Sequence, residues 1–334
     1  MKPNVSISVL IPVYRSETTL PPLVKRLTNT LASLQTDYEV ILINDGSPDR
    51  SWEIICQLTK EYPFVHGINL TRNFGQHNAL LCGIRAAQKN IIVTLDADLQ
   101  NPPEEIPKLL GKLDEGWDVV YGIPQKKQHG LPRIIASWLV RTTLKSALNV
   151  ESAFQGSSFR AFRANLRDAF ESFNGPSVSL DVLLTWGSTR LCSLPVRHET
   201  RPEGGSSYSL SKLFAHCFDV LTGFSTLPLQ LASLIGFLFT LFGLGVLVYV
   251  VGRYLILGYS VPGFPFLASI IAIFSGAQLF ALGIIGAYLA RIHFRIMNRP
   301  TYVIRSITDK AEGRRQNEAK KSAFVFYPFC ILPS

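Results

Sequence analysis

No Gly-x-Gly-x-x-Gly follows the first apolar run of this sequence, and no Gly-x-x-x-x-Gly-Lys-Ser/Thr occurs anywhere in it. Those absences exclude a dinucleotide fingerprint and a P-loop, so any phosphate must be held by other means. Cysteine is scarce: Cys56, Cys82, Cys192, Cys217 and Cys330 are odd in number and show no Cys-x-x-Cys spacing. They read as reduced, packed thiols in a cytosolic setting, not as a disulfide frame or a zinc site. No charged-then-apolar leader opens the sequence; residues 1–15 run into a strand instead. No RNA- or DNA-binding module is visible either, so no nucleic-acid partner is expected. The formal net charge of +9 therefore needs another explanation.

Charge is also missing from two long runs, residues 231–252 and 263–290. Each is long enough to cross a hydrocarbon core of roughly 30 Å as a helix. The loop between them carries one basic residue, Arg253, whereas residues 291–321 hold nine Lys/Arg against three Asp/Glu. That asymmetry predicts two spans, with both termini on the cytoplasmic side and a short outer loop near residues 258–262. Much of the basic excess then serves topology and contact with lipid headgroups. Two further stretches read as basic amphipathic helices, candidates for the membrane surface or for packing on the sheet. One aligns Ile134, Ile135, Trp138, Leu139 and Thr142; the other, over 209–224, aligns Leu210, Leu213, Phe214, Cys217 and Phe218.

What the first 125 residues do contain is an alternation of apolar strands with helical patterns. Strands are predicted at 6–14, 38–45, 65–70 and 90–96, and helices from about Glu17 to Leu34, from Ser47-Pro48, and over 77–89. Near-continuous apolar strands between helices indicate a mostly parallel α/β sheet covered on both faces. Such sheets bind ligands beyond the carboxyl ends of their strands. "PVY", "NDGS" and "DADLQ" all fall at such ends, so three polar turns share one rim. In "NIIVTLDADLQNPPEE" the strand is expected to end where Asn101-Pro102-Pro103 cannot continue it. Asp is also a common turn residue. Two carboxylates converging in a crevice, however, repel and call for a cation. All-oxygen ligation suits Mg²⁺ or Mn²⁺, which bind through one or two carboxylates plus substrate phosphates.

Five stretches taken together, "SISVLIPVYRSE", "ILINDGSPD", "LTRNFGQHNAL", "TLDADLQNPPEEIPKLL" and "GIIGAYLARI", resemble the inverting family 2 glycosyltransferases of GT-A fold. The resemblance is to their polyprenyl-phosphate branch and covers about residues 5–305. It implies three regions: a cytoplasmic GT-A domain with interfacial helices (1–228), two transmembrane helices (229–292) and a basic cytoplasmic segment (293–334). It implies transfer of a sugar from a nucleotide diphosphate, UDP favoured, to a polyprenyl phosphate in the bilayer, a bacterial inner membrane favoured. A homo-oligomer is implied as well. Carried over by position, Pro12, Tyr14, Glu17, Asp45, Gln76 and Gln100 would bind the nucleotide sugar. Asp98 and Asp96 would hold the metal. Asp96, Asp98 and Arg160 would form the catalytic set, and Arg160, Arg201, Ser206 and Tyr208 would meet the acceptor phosphate.

The sequence departs from the family pattern in three places. Arg15-Ser16 stand where Asn-Glu is usual, Ser207 replaces the lysine of a Gly-x-Ser-Lys-Tyr loop, and Gln155 or Ser158 falls where an Asp normally precedes "FR". A lipid monophosphate tolerates the last loss, because its second pKa of about 6 leaves it largely dianionic and no general base is required. A processive polysaccharide synthase would bring more spans and a Gln-x-x-Arg-Trp motif, which is absent. A lipid-binding membrane scaffold with a decayed transferase domain is the non-enzyme alternative.

Overall fold

The computed structural model describes residues 5–124, 157–174, 179–199, 227–257, 263–297 and 300–308. The elements in chain order are β1 (Ser6–Val13), α1 (Leu20–Ser33), β2 (Asp37–Asn44), α2 (Ser51–Glu61), β3 (Val65–Leu70) and α3 (Gln76–Ala86). Then come β4 (Ile91–Thr94), α4 (Ile106–Asp114), β5 (Val119–Pro124), β6 (Arg160–Arg163), α5 (Leu180–Gly187) and β7 (Leu191–Val196). Two long helices, α6 (Leu227–Leu257) and α7 (Phe264–Ile296), precede a last strand, β8 (Ile304–Ile307).

The sheet has eight strands in the order β7-β5-β6-β4-β1-β2-β3-β8. β1 pairs in parallel with both β2 and β4, β2 with β3, and β5 with β7; β6 and β8 run against their neighbours. Central strands are buried on both faces, as the apolar runs dictate: Ile7, Val9, Leu10, Ile11 and Val13 have no exposed surface. One face carries α1, α2 and α4, the other α3 and α5. α1 shows why these segments are helical. Its buried Leu20, Leu23, Val24, Leu27 and Leu31 recur at three- and four-residue steps, and Pro21 and Pro22 occupy the first turn, where a missing N–H costs nothing.

Several boundaries differ from the sequence reading for local reasons. α1 opens at Leu20, not near Glu17, because Ser16 starts a turn whose carbonyl accepts from the N–H groups of Thr19 and Leu20. α2 opens at Ser51, not at Ser47-Pro48, with the Ser51 N–H donating to Asp49 Oδ1 at 3.2 Å. β4 stops at Thr94, before the two aspartates and well before the prolines. The amphipathic stretches at 131–148 and 209–224 lie outside the described residues.

β8 is the larger departure. Part of the segment expected as a separate basic tail adds an antiparallel edge strand to β3. Thr71 N–H donates to Val303 O at 2.9 Å, Gly67 N–H to Thr308 Oγ1 at 2.8 Å, and Arg305 Nη2 to Thr71 O at 2.9 Å. The chain thus leaves the sheet after β7 and returns to its opposite edge after α6 and α7.

Those two helices pack on one another through Phe239 and Phe274, whose rings lie edge to face at 5.8 Å. Gly243 lets Phe274 approach, since a Cβ there would meet its ring at 2.8 Å. Their outer faces expose large apolar side chains, among them Phe237, Phe242, Leu279 and Leu289. Among the described residues, one helical stretch, Ala232–Arg253, is long and apolar enough to cross a membrane; the apolar stretch Phe274–Ala290 of α7 is shorter.

Candidate active site

The carboxyl ends of β1, β2 and β4 come to one rim because the three strands are parallel and in register, Val13 opposite Asn44 and Leu10 opposite Thr94. β6 arrives at the same rim from the other direction. Its antiparallel register sets Arg160 opposite Thr94, so the residues just before Arg160 face those just after Thr94.

Beyond Thr94 the burial alternates: Leu95 and Ala97 are buried, Asp96 and Asp98 half-buried. Leu99 then takes a left-handed φ of 63°. A non-glycine residue in that region costs on the order of 1–3 kcal/mol and is characteristic of functional turns. Asp98 Oδ1 accepts from the Gln100 N–H at 3.1 Å, which closes the turn. Asp96 accepts at both oxygens, Oδ1 from Gln76 Nε2 at 2.6 Å and Oδ2 from Ser158 Oγ at 2.5 Å. The structure therefore brings Gln76, Asp96, Asp98 and Gln100 together and adds Ser158, at one of the two positions where an Asp was expected.

On the β1–β2 side, Tyr14 is 44% exposed and carries the Arg15 guanidinium 5.5 Å from its ring centroid. Arg15 is a second left-handed non-glycine residue, with φ 52°. Its N–H donates to Ser47 Oγ at 2.7 Å, and the Ser16 N–H to Ser51 Oγ at 3.0 Å. Glu17 is tied in the same way: its N–H donates to Asp49 and its carboxylate accepts from the Arg50 N–H at 3.0 Å. Pro12 is half-buried in β1 below Tyr14. Asp49 is held below the usual carboxylate range: burial pushes it up, but hydroxyls of Ser47 and Ser51 and nearby N–H groups outweigh that.

Asp45, expected to bind the nucleotide sugar, is 3% exposed and faces the protein. Its two oxygens accept from the N–H groups of Phe74, at 2.7 Å, and Gly75, at 2.9 Å. Burial raises its pKa, and those two donors oppose the shift. Gly46, with φ +61°, makes this possible, because a Cβ there would lie 2.3 Å from the Arg72 carbonyl carbon. Asp45 thus anchors the turn before α3, which carries Gln76 in its first position.

Arg160 also departs from expectation. It is 2% exposed, its Nη1 pairs with Asp181 Oδ1, and its guanidinium lies 5.7 Å from the Tyr121 ring centroid. In this position it braces β6, β5 and the first turn of α5, and does not present a fork to phosphate. Asp181, missed in the sequence, carries no local signal; only the packing of α5 brings it to Arg160. Arg201, Ser206 and Tyr208 lie outside the described residues.

A second acidic group lies next to the Asp96–Asp98 turn. Arg26 bridges two carboxylates, donating to Glu104 at 2.8 and 2.9 Å and to Glu199 at 2.9 and 3.0 Å. Glu105 is 1% exposed and accepts from Lys108 Nζ at 2.5 Å and Arg197 Nε at 2.6 Å. The Glu199 N–H donates to Gln100 O at 2.8 Å. The segment after β7 is thus fastened to the loop that carries Asp98 and Gln100.

A mostly parallel sheet, helices on both faces and an Asp-x-Asp turn at the carboxyl rim define a GT-A fold, and the class is that of nucleotide-sugar glycosyltransferases. Residues 8–170 match the family described as glycosyl transferase family 2, so the chain carries a domain of that family and is a glycosyltransferase. Among solved structures it is similar to glucosyl-3-phosphoglycerate synthase of Mycobacterium tuberculosis. That match has 20% identity and a TM-score of 0.48, covering 65% of this chain and 78% of that one. The same enzyme in complex with Mn²⁺ and uridine-diphosphate-glucose matches at 22% identity and a TM-score of 0.45, covering 65% and 77%.

Proposed function

We propose that this glycosyltransferase moves a sugar from a nucleoside-diphosphate donor, UDP favoured, to a polyprenyl phosphate held in a bilayer, with inversion at the anomeric carbon. The observation that carries the reading is the return of the chain to the sheet. The Asp96–Asp98 rim and β8 belong to one sheet, and two long apolar helices lie between β7 and β8. If Ala232–Arg253 crosses a membrane, the chain must cross back before Ile304, and α7 is the helix available to do so. Two spans with both ends on one side follow, and the Lys/Arg excess of residues 291–321 favours the cytoplasmic side. The catalytic rim then stays tied to the lipid that holds its acceptor.

The donor set fits a hard divalent cation. Among the described residues no group of three His, Cys, Asp or Glu gathers as a metal cage. Asp96 and Asp98 would supply two carboxylates, and the donor diphosphate the remaining oxygens, as Mg²⁺ and Mn²⁺ commonly accept. When bound, the metal would neutralise charge on the departing diphosphate. Tyr14 and Gln100 are the proposed donor contacts, and Glu17 and Asp45 hold the turns beside them. Arg201, Ser206 and Tyr208 are the proposed acceptor-phosphate residues.

In the transfer, a phosphate oxygen of the lipid forms the new bond to the anomeric carbon as the carbon–oxygen bond to the nucleoside diphosphate breaks. The acceptor is already dianionic near pH 7, so the protein's main task is alignment, which is worth roughly 7–11 kcal/mol in favourable cases. Purified protein would be given Mn²⁺ or Mg²⁺, undecaprenyl phosphate and a panel of UDP-, GDP- and dTDP-sugars, with and without chelator. A chelator-sensitive, organic-extractable sugar lipid from one donor is the expected result. Nucleotide release with no sugar lipid would overturn the acceptor.

A further inference from the structure

We infer that Ser158 and Gln76 form a positioning pair for Asp96, and that Asp45 sets one half of that pair. The inference rests on the metal-dependent reading above.

The antiparallel register of β4 and β6 runs Ile91–Arg163, Ile92–Phe162, Val93–Ala161, Thr94–Arg160. Continued by two residues beyond the strand end, it sets Ser158 opposite Asp96. Ser158 is fixed there through its backbone, since its carbonyl accepts from Thr94 Oγ1 at 2.6 Å. Its hydroxyl then donates to Asp96 Oδ2 at 2.5 Å.

The other oxygen is reached from a different layer of the fold. Gln76 is the first residue of α3, and its amide donates to Asp96 Oδ1 at 2.6 Å. Gly75, with φ +92°, turns the chain into that helix. The N–H groups of Phe74 and Gly75 are held by Asp45 at 2.7 and 2.9 Å. A relay of fixed positions therefore runs from the end of β2, through the turn before α3, to the carboxylate at the end of β4.

Two donors on two different oxygens fix the rotation of a carboxylate about its Cβ–Cγ bond. Both donors are neutral, so they set direction without adding a countercharge of their own. Each carboxylate oxygen keeps further acceptor capacity, because an ionised carboxylate offers about four lone-pair sites. Partners that orient a ligating carboxylate typically change metal affinity by about 10–100-fold when removed.

The test is Mn²⁺ binding by full-length, detergent-purified protein in the presence of UDP, followed by electron paramagnetic resonance. Transfer kinetics run beside it on wild type, Ser158→Ala, Ser158→Thr, Gln76→Ala and Asp98→Asn. Wild type binding that Asp98→Asn loses establishes the metal reading; no binding by folded wild type would sink that reading and this inference with it. Given wild-type binding, Ser158→Ala and Gln76→Ala are expected to weaken Mn²⁺ affinity about tenfold or more. Ser158→Thr, which keeps the hydroxyl, is expected to restore it to within about twofold. Affinities of Ser158→Ala and Gln76→Ala within about twofold of wild type would overturn the pair while leaving the metal site intact. A Ser158→Thr variant as weak as Ser158→Ala would overturn the role of the hydroxyl.

Discussion

Two acidic pairs occupy one stretch of this sequence, Asp96/Asp98 and Glu104/Glu105, and the fold treats them differently. Glu104 shares the Arg26 guanidinium with Glu199, and Glu105 sits 1% exposed between Lys108 and Arg197. The Arg26 hydrogen bonds hold Glu104 and Glu199 below the usual carboxylate range. At Glu105 burial pushes upward, but Lys108 and Arg197 outweigh it and the net shift is downward. Asp96 is instead oriented by an amide and a hydroxyl. A cation supplied by the chain makes an acidic residue architectural. The Gln76 amide and the Ser158 hydroxyl aim the Asp96 carboxylate without adding a countercharge of their own.

The sharpest way to break that contrast is to neutralise one member of each pair. Asp98→Asn is expected to lower transfer by at least about 10²–10³-fold, the scale of single electrostatic contributors to catalysis. Its circular dichroism and melting curve should match wild type; full activity would remove Asp98 from the site. Glu105→Gln should do the reverse, lowering stability by about 1–3 kcal/mol, the range for a lost charged hydrogen bond at a buried group. Activity per folded molecule should persist, measured as turnover against the fraction remaining folded.

A pH series probes the same network more gently. Glu104, Glu105 and Glu199 have folded-state pKa values below their unfolded values, so their stabilisation is fully present above the unfolded range, about pH 4–5. It is lost as pH falls through the lower, folded values. The melting temperature should therefore drop on acidification below about pH 4.5, and Arg26→Ala should flatten that drop. Smallest of all is Arg50→Ala. Arg50 and Glu53 are both exposed, and a solvent-screened pair one helical turn apart should leave the melting temperature unchanged within error.

How much of this was legible in the sequence varied with the range of the contacts involved. β1 to β4 were readable because apolar runs bounded by polar turns define buried parallel strands, and 65–70 was placed at its true limits. β6 and β8 were not. "RAFR" and "IRSI" are four residues long, too short for a period to show, and β8 pairs with a strand more than two hundred residues earlier. The position of Tyr14, Asp96, Asp98 and Gln100 at the rim was legible, since strand ends carry sites in such sheets. Gln76, at the start of α3, came only from the family resemblance. The inward turn of Asp45 was not, because it answers two backbone N–H groups in a loop distant in sequence. Arg160 was recognised by its motif, yet its partner Asp181 depends on how α5 docks, which no local pattern encodes.

The return of the chain as β8 also acts as a ruler. Eight steps separate Ile296, the end of α7, from Ile304, the start of β8. Fully stretched, they reach about 26–29 Å, slightly less than the thickness of a bilayer's hydrocarbon core. If α7 ends at the membrane surface, the β3–β8 edge of the sheet can never stand farther from it than this. The working height of the rim above the lipid is then a property of chain length, and each residue inserted between Ile296 and Ile304 would raise its ceiling by about 3.5 Å.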